Sequence, residues 1–254
     1  MKIALIQSNL IWENPQANRI HFEQKINSIN EKIALIVLPE MFTSGFSMNP
    51  KIVAETMQGE SIMWMKNLAK AKSAAITGSL VIVEYGMFYN RMLFVFPSGE
   101  IEFYDKKHLF TLAGEHKVYE SGNKKVVVTY LGFKICLHIC YDLRFPVFTR
   151  NIENYDLIIY CANWPETRIN AWDILLKARA VENMSFVIGV NRIGVDGNNL
   201  IYPGHSQVND FLGNYLLEPQ KQEGVFITNL NKSDLIATRE KLNFLNDKDA
   251  FNLN

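Results

Sequence analysis

The chain has no surplus of charge. Twenty-six Lys and Arg face 26 Asp and Glu in 254 residues, so the formal net charge is zero. That removes the basic footprint of a nucleic-acid binder and gives no reason to expect an acidic or membrane-surface partner. A neutral balance is also poor for the colloidal solubility of a monomer and favours a defined oligomer. Long apolar runs are missing too, since no stretch approaches the roughly 18 residues of a spanning helix. The N-terminal MKIALIQSNLIWENP does not read as a signal peptide. Gln7, Ser8 and Asn9 break its apolar run, and no small-residue cleavage site follows. Cysteine is scarce and odd in number, three in all, which fits a reducing cytoplasm rather than a disulfide framework. Linkers and low-complexity runs are absent, so residues 1–254 are expected to form one domain.

What is present alternates strands and helices. Residues 2–8 form a short apolar strand. Asn14-Pro15 supplies an N-cap and a proline at the first helical position, and Phe22, Ile26 and Ile29 predict an amphipathic helix over 15–30. The run IALIVLP, 33–39, is expected to be a strand buried on both faces. Strand, helix and strand make a right-handed βαβ unit. A helix follows from Gly59 to about Lys72. Residues 74–84 and 90–106 read as strands with a turn at Pro97-Ser98-Gly99, 107–125 as a loop, and 126–140 as a hairpin turned at Leu131-Gly132. A short helix at 146–153, a buried strand at 156–163 and a helix at 170–183 come next, the last with Ile174, Ala178 and Val181 as its apolar stripe. Strands at 185–194, 205–217 and 224–229 complete the order. The tail from about Asn231 starts helical and ends rich in Asn and Asp, either loose or set against a partner subunit. Strands buried on two faces, with helices between, call for two packed mixed β-sheets with outer helices: a four-layer αββα sandwich of the α/β class.

Three strands end on chemically useful side chains. Glu40 follows IALIVLP, Lys106 follows IEFYD, and Cys140 closes KICLHIC. In α/β sheets, ligands bind beyond the carboxyl ends of strands. A carboxylate there is partly desolvated, which raises its pKa toward the general-base range. A thiol there is rigidly held beside backbone N–H groups that can stabilise an oxyanion. Each residue alone has an ordinary explanation: a solvated strand end for Glu40, half of a charged Lys106-Lys107 edge, and a buried structural thiol for Cys140. Glu115, in LAGEH, is ordinary for a surface loop. Cys136, His138 and Cys140 alternate along one strand and offer another reading, the beginning of a zinc site, although structural zinc more often uses loop or knuckle spacing. Cys136 and Cys161 lie within apolar runs and read as core. Taken together, a base, a cation and a nucleophile are what amide hydrolysis through a thioester requires.

The motifs LPEMF at 38–42, YDKKHLF at 104–110 and ICYDLRFP at 139–146, in this order and at these separations, resemble the nitrilase superfamily of carbon–nitrogen hydrolases. The likeness runs from KIALIQ to HSQVNDFLGNYL. Within the superfamily the chain is most similar to the short bacterial ω-amidase-like branch, through YDKKHLF, GEH, CYDLRFPVFTRN and ANWPETR. The resemblance implies that Glu40 is the general base, Lys106 the catalytic lysine and Cys140 the nucleophile. It implies that Glu115, seven residues before Gly122, is a second glutamate supporting lysine and cysteine. It also implies an αββα fold and a homodimer of stacked sandwiches.

On that reading the Lys106 ammonium and the Tyr141 N–H hold the oxyanion, and no metal or organic cofactor takes part. Lys106 is expected to draw the thiol pKa down against burial and the charge of Glu40. Asp142 and Arg144 are assigned to holding the turn after the nucleophile, His108 to holding the lysine loop, and His138 to the core. An ω-amidase-like enzyme takes the monoamide of a short dicarboxylic acid, such as 2-oxoglutaramate or 2-oxosuccinamate. Arg168 is the candidate for its far carboxylate. Phe46, Phe110 and Trp164 are expected to close the cleft to water. The competing substrates are nitriles, N-carbamoyl amines and other aliphatic amides. A non-catalytic binding protein is disfavoured, because all three required residues are present.

Overall fold

In the computed structural model, which describes residues 1–252, two six-stranded sheets lie face to face. The N-terminal half runs β1 (Lys2–Gln7), α1 (Pro15–Asn27), β2 (Leu35–Val37), α2 (Pro50–Val53), α3 (Glu60–Lys72), β3 (Ala75–Glu84), β4 (Met87–Val95) and β5 (Ile101–Asp105). The second half runs β6 (Val127–Tyr130), β7 (Phe133–Ile139), α4 (Pro146–Thr149), β8 (Leu157–Ala162), α5 (Ile169–Asn183) and β9 (Phe186–Asn191). A separate hairpin, β10 (Ile193–Val195) with β11 (Ile201–Pro203), precedes β12 (Ser206–Asn209), β13 (Tyr215–Gln220), β14 (Gly224–Asn229) and α6 (Lys232–Leu242). One sheet has the order β14-β1-β2-β3-β4-β5, the other β13-β12-β9-β8-β7-β6. Each is mixed, with two parallel pairings at its centre (β1–β2 and β2–β3; β7–β8 and β8–β9) and antiparallel strands outside them.

The two-residue period of the strands sorts side chains into layers. Ile3 and Leu5 of β1, Ile135, Leu137 and Ile139 of β7, and Leu157 and Ile159 of β8 meet between the sheets. Their neighbours Ala4 and Ile6 face the layer of α1 and α3, where Phe22, Ile26 and Met65 cover them. Ile158 and Tyr160 face α5, against Trp172 and Leu176. This is the expected four-layer arrangement. The hairpins turn at Tyr85-Gly86 and Leu131-Gly132, where all four residues have positive φ (51°, 79°, 48° and 78°), as the twist of tight two-residue turns demands.

Several local expectations are corrected. The strand expected over 33–39 pairs only at Leu35–Val37, and Pro39 has no N–H to extend the ladder. The loop at 107–125 contains two short 3-10 turns, Thr111–Ala113 and Glu115–Lys117. The strand expected at 185–194 ends at Asn191, and the β10–β11 hairpin follows it. The stripe assigned to the helix at 170–183 is on the wrong side: Ile174 is 57% and Val181 51% exposed. The buried face is Trp172, Leu176, Arg179, Ala180 and Asn183. Its two polar members disguised it, and both are spent on backbone: Arg179 donates to Leu143 O at 2.6 Å, and Asn183 Oδ1 accepts from Asn151 N at 2.8 Å. The helical part of the tail packs on its own sandwich. Leu235 enters the inter-sheet core, and Lys232 Nζ lies 2.7 Å from Asp156 Oδ2. No helix among the described residues is long and apolar enough to cross a membrane.

Candidate active site

Glu40, Lys106 and Cys140 all stand just beyond strand ends, of β2, β5 and β7, and the sandwich brings those ends together. Lys106 Nζ is 2.9 Å from Glu40 Oε1 and 3.0 Å from each oxygen of Glu115. All three side chains are completely buried. Glu115 reaches the lysine because its loop is pinned back onto β5. Gly122 N donates to Lys106 O at 2.9 Å, and a Cβ on Gly122 would stand 2.1 Å from Asp105 O, so only glycine fits there. Phe110 N donates to Glu115 Oε2 and fixes the carboxylate from the other side.

The strand β7 stops at Ile139, and Cys140 opens a 3-10 turn with φ of 43°. A non-glycine residue held at positive φ is strained, and such strain concentrates at functional positions. The turn is held by Asp142. One of its oxygens accepts from His108 N at 3.0 Å and faces His108 Nδ1 at 2.8 Å. The other accepts from Tyr104 OH at 2.7 Å and from Ile139 N at 2.9 Å. Burial opposes the charge of Asp142, yet these donors hold its carboxyl below the ordinary value. His108 also stacks on Phe145, ring to ring at 3.8 Å. The turn separates Cys140 from the other two residues of the alternating trio. Cys136 Sγ and His138 Nε2 lie 3.4 Å apart in the layer beneath α5. Among the described residues no group of three or more His, Cys, Asp or Glu side chains is placed to hold a metal ion.

The thiol itself departs from expectation. Burial and the Glu40 carboxylate push the Cys140 thiol well above its ordinary value, and the opposing pull of Lys106 does not offset them. The same ammonium is paired with two carboxylates. For that reason Lys106 is raised well above its ordinary value, the two acids outweighing burial. Glu115 is raised by burial and by the charge of Glu40, against the pull of Lys106. The resting cluster therefore holds a neutral thiol beside a charged Lys106 ammonium.

A cavity of about 640 Å³ opens over the sulfur. Cys140, Lys106, Tyr141, Phe46, Phe110, Trp164 and Arg168 all line it, whereas Glu40 and Glu115 lie behind its wall. Phe46 lies against Lys106 with the ring centre 5.1 Å from Nζ. Arg168 lies over Phe110 at 5.1 Å and Arg144 over Trp164 at 4.9 Å. Both guanidinium groups face the cavity, and neither forms an ion pair with a described residue.

Two asparagines and one wall complete the site beyond the residues marked in the sequence. Asn163 follows β8, and its backbone N donates to Glu40 Oε2 at 2.8 Å while its side chain donates to Glu40 O at 2.7 Å. Its carbonyl faces Cys140 Sγ at 3.8 Å. The strand-end rule that singled out Glu40 would have found it. Asn90 Nδ2 donates to Glu40 Oε1 at 2.8 Å, and its only signal was a polar residue in an apolar strand. Trp12 and Glu13, with Asp196 and Tyr202 of the β10–β11 hairpin, make the far wall of the cavity. Nothing local marks them.

The chain is similar to known proteins along nearly its whole length. A family model described as carbon-nitrogen hydrolase matches residues 2–240. The omega-amidase YafV of Escherichia coli K12 is 41% identical over 254 residues, covering 100% of this chain and 98% of its own. The 2-oxoglutaramate amidase of Bacillus subtilis is 30% identical over 250 residues, covering 96% of each. A CN-hydrolase superfamily protein of Xanthomonas campestris, solved with an arsenic adduct in its active site, superposes with a TM-score of 0.98. It is 40% identical, over 100% of this chain and 99% of that one.

Proposed function

This chain belongs to the carbon–nitrogen hydrolase family and is an amidase, and from that premise we propose that its substrate is 2-oxoglutaramate or the shorter 2-oxosuccinamate. The terminal carboxamide is hydrolysed to the acid and ammonia through a thioester on Cys140. The observation that carries this reading is the cavity: it is lined by a thiol, an ammonium and two arginines that form no ion pair with a described residue. Arg168 receives the far carboxylate of the substrate, and Phe46, Phe110 and Trp164 shut out water. That the omega-amidase and 2-oxoglutaramate amidase relatives match nearly end to end supports the same substrate.

The steps follow from the protonation states. The thiol is neutral at rest, so Glu40 takes its proton as sulfur attacks the amide carbon, forming the C–S bond. The C=O electron pair moves to oxygen, and the oxyanion sits between Lys106 Nζ and Tyr141 N–H. Such a donor is typically worth about 10²–10³ in rate. Glu40 gives the proton to the amide nitrogen, the C–N bond breaks and ammonia leaves. Water then gives a proton to Glu40 as it attacks the thioester, and the proton returns to sulfur as the acid departs. Glu115 keeps Lys106 charged and in place.

The whole chain acts as one domain in a cytoplasmic homodimer on this reading. Three free cysteines fit the reducing compartment, and the exposed Ile174 and Val181 of α5 with Val147 of α4 supply an apolar face for a second copy. The test of function is ammonia release from a panel of small amides. We expect the highest kcat/KM for 2-oxoglutaramate, then 2-oxosuccinamate, with glutamine, asparagine, N-carbamoyl amines and nitriles well behind. A nitrile or a carbamoyl amine at the top would overturn the substrate assignment.

A further inference from the structure

Asn90 takes no part in the steps above, yet it touches every charged member of the cluster. It is fully buried in the middle of β4. Its carbonyl accepts from Lys106 N at 3.0 Å. Its Nδ2 lies 2.8 Å from Glu40 Oε1 and 3.4 Å from Glu115 Oε1, so one amide group addresses both acids. Its orientation is fixed from behind. Met41 N donates to Ser79 Oγ at 2.8 Å, and that hydroxyl spends its only proton on Asn90 Oδ1, also at 2.8 Å. A flipped amide would set Oδ1 against two carboxylates and lose the serine bond as well.

The charge count gives this geometry a purpose. Two carboxylates share one ammonium in a dry site, leaving one excess negative charge. The other titratable groups around them, Cys140 at the turn, Cys161 on β8 and Tyr119 below the loop, are all raised by burial and stay neutral. Glu13, in the cavity wall, acts on Tyr119 and adds no positive charge. Burial therefore favours proton uptake by the acid pair, and the rise of Glu115 lies in that direction. A neutral donor shared by both acids opposes it without adding charge.

We propose that Asn90, oriented by Ser79, is a positioning residue that keeps the Glu40–Glu115 pair fully charged around Lys106, so that Glu40 stays available to the Cys140 thiol. This rests on the role of Glu40 as base, but not on the identity of the amide. The test is the pH dependence of Cys140 alkylation by iodoacetamide in the full-length protein, with labelling mapped by mass spectrometry. In Asn90→Ala the acid limb of the rate is expected to move up by about one pH unit, a tenfold loss of rate on that limb. Ser79→Ala is expected to move it in the same direction by less, and serves if Asn90→Ala does not fold. A uniform loss of rate at all pH values, or an unmoved limb in folded Ser79→Ala and Asn90→Ala, overturns the proposal. If the unsubstituted protein labels Cys140 no faster than a free thiol, the role of Glu40 itself fails, which is a separate result.

Discussion

Two buried acids on either side of the nucleophile have opposite fates. Asp142, beneath the turn, is held below its ordinary carboxyl value, while Glu115, beside the lysine, is raised. Burial pushes both upward, so the difference lies in partners. Asp142 has its two oxygens filled by His108, Tyr104 and Ile139, and no acid is among the leading influences on it. Glu115 shares one ammonium with Glu40 and feels its charge. A single acid with several donors gives a fixed clamp. Two acids on one cation give a cluster from which a proton can be moved at small cost. On the proposed mechanism the first region holds the turn and the second runs the chemistry, and variants should separate them.

The largest effect is expected at the sulfur. Cys140→Ala should lower kcat by about 10⁴-fold or more in an ammonia-release assay, with the melting temperature almost unchanged. Residual activity close to the parent would refute the thioester route. Lys106→Met should cost about 10²–10³ in kcat through the lost oxyanion donor, and should also destabilise the fold by stranding two buried acids.

Asp142→Asn should reverse that balance. We expect roughly 2–3 kcal/mol lost in urea denaturation, because the amide nitrogen faces donors that want an acceptor, with a smaller loss of kcat than in Lys106→Met. Equal effects in the two variants would erase the distinction between clamp and cluster. His138, packed beside the clamp, sharpens it by pH. Burial lowers it to about 4, against the pull of Asp142. Between an unfolded value near 6.5 and about 4, the unfolded chain binds a proton that the folded chain does not. Stability should therefore fall as pH drops through that window, by up to roughly 3 kcal/mol. His138→Phe, which keeps the ring packed against Tyr160, should flatten the slope; an unchanged slope assigns it elsewhere. The smallest effect is expected at Arg168→Ala, a rise in KM for 2-oxoglutaramate of about tenfold with little change in kcat, the scale of one charge-assisted contact.

Much of this architecture is local in origin and so could be read from the chain. Apolar runs of strand length marked β7 and β8, the Asn14-Pro15 pair marked the start of α1, and three strand ends displayed Glu40, Lys106 and Cys140. The misreadings share one cause, a tertiary contact that overrides a local pattern. On α5, Ile174 and Val181 look like a core stripe, but Trp172 and Leu176 face the sheet and Arg179 and Asn183 go with them to bond backbone. At the site, Asn90 carries no local mark of a role, and only the fold sets its amide against Glu40, 50 residues away in sequence.

The order of residues was enough for the alternation of strands and helices, the layered sandwich, and which side chains with useful chemistry stand at strand ends. These depend on periodicity and on the residue types the chain carries at each place. Folding was needed to show that the sulfur is neutral at rest, that Asn163 and Asn90 hold the carboxylate, and that the β10–β11 hairpin lines the cavity. A pKa is set by every charge and dipole within a few ångströms, and here those come from β2, β4, β5, β8 and a loop. No stretch of the chain contains that sum, because it exists only when the two sheets are packed.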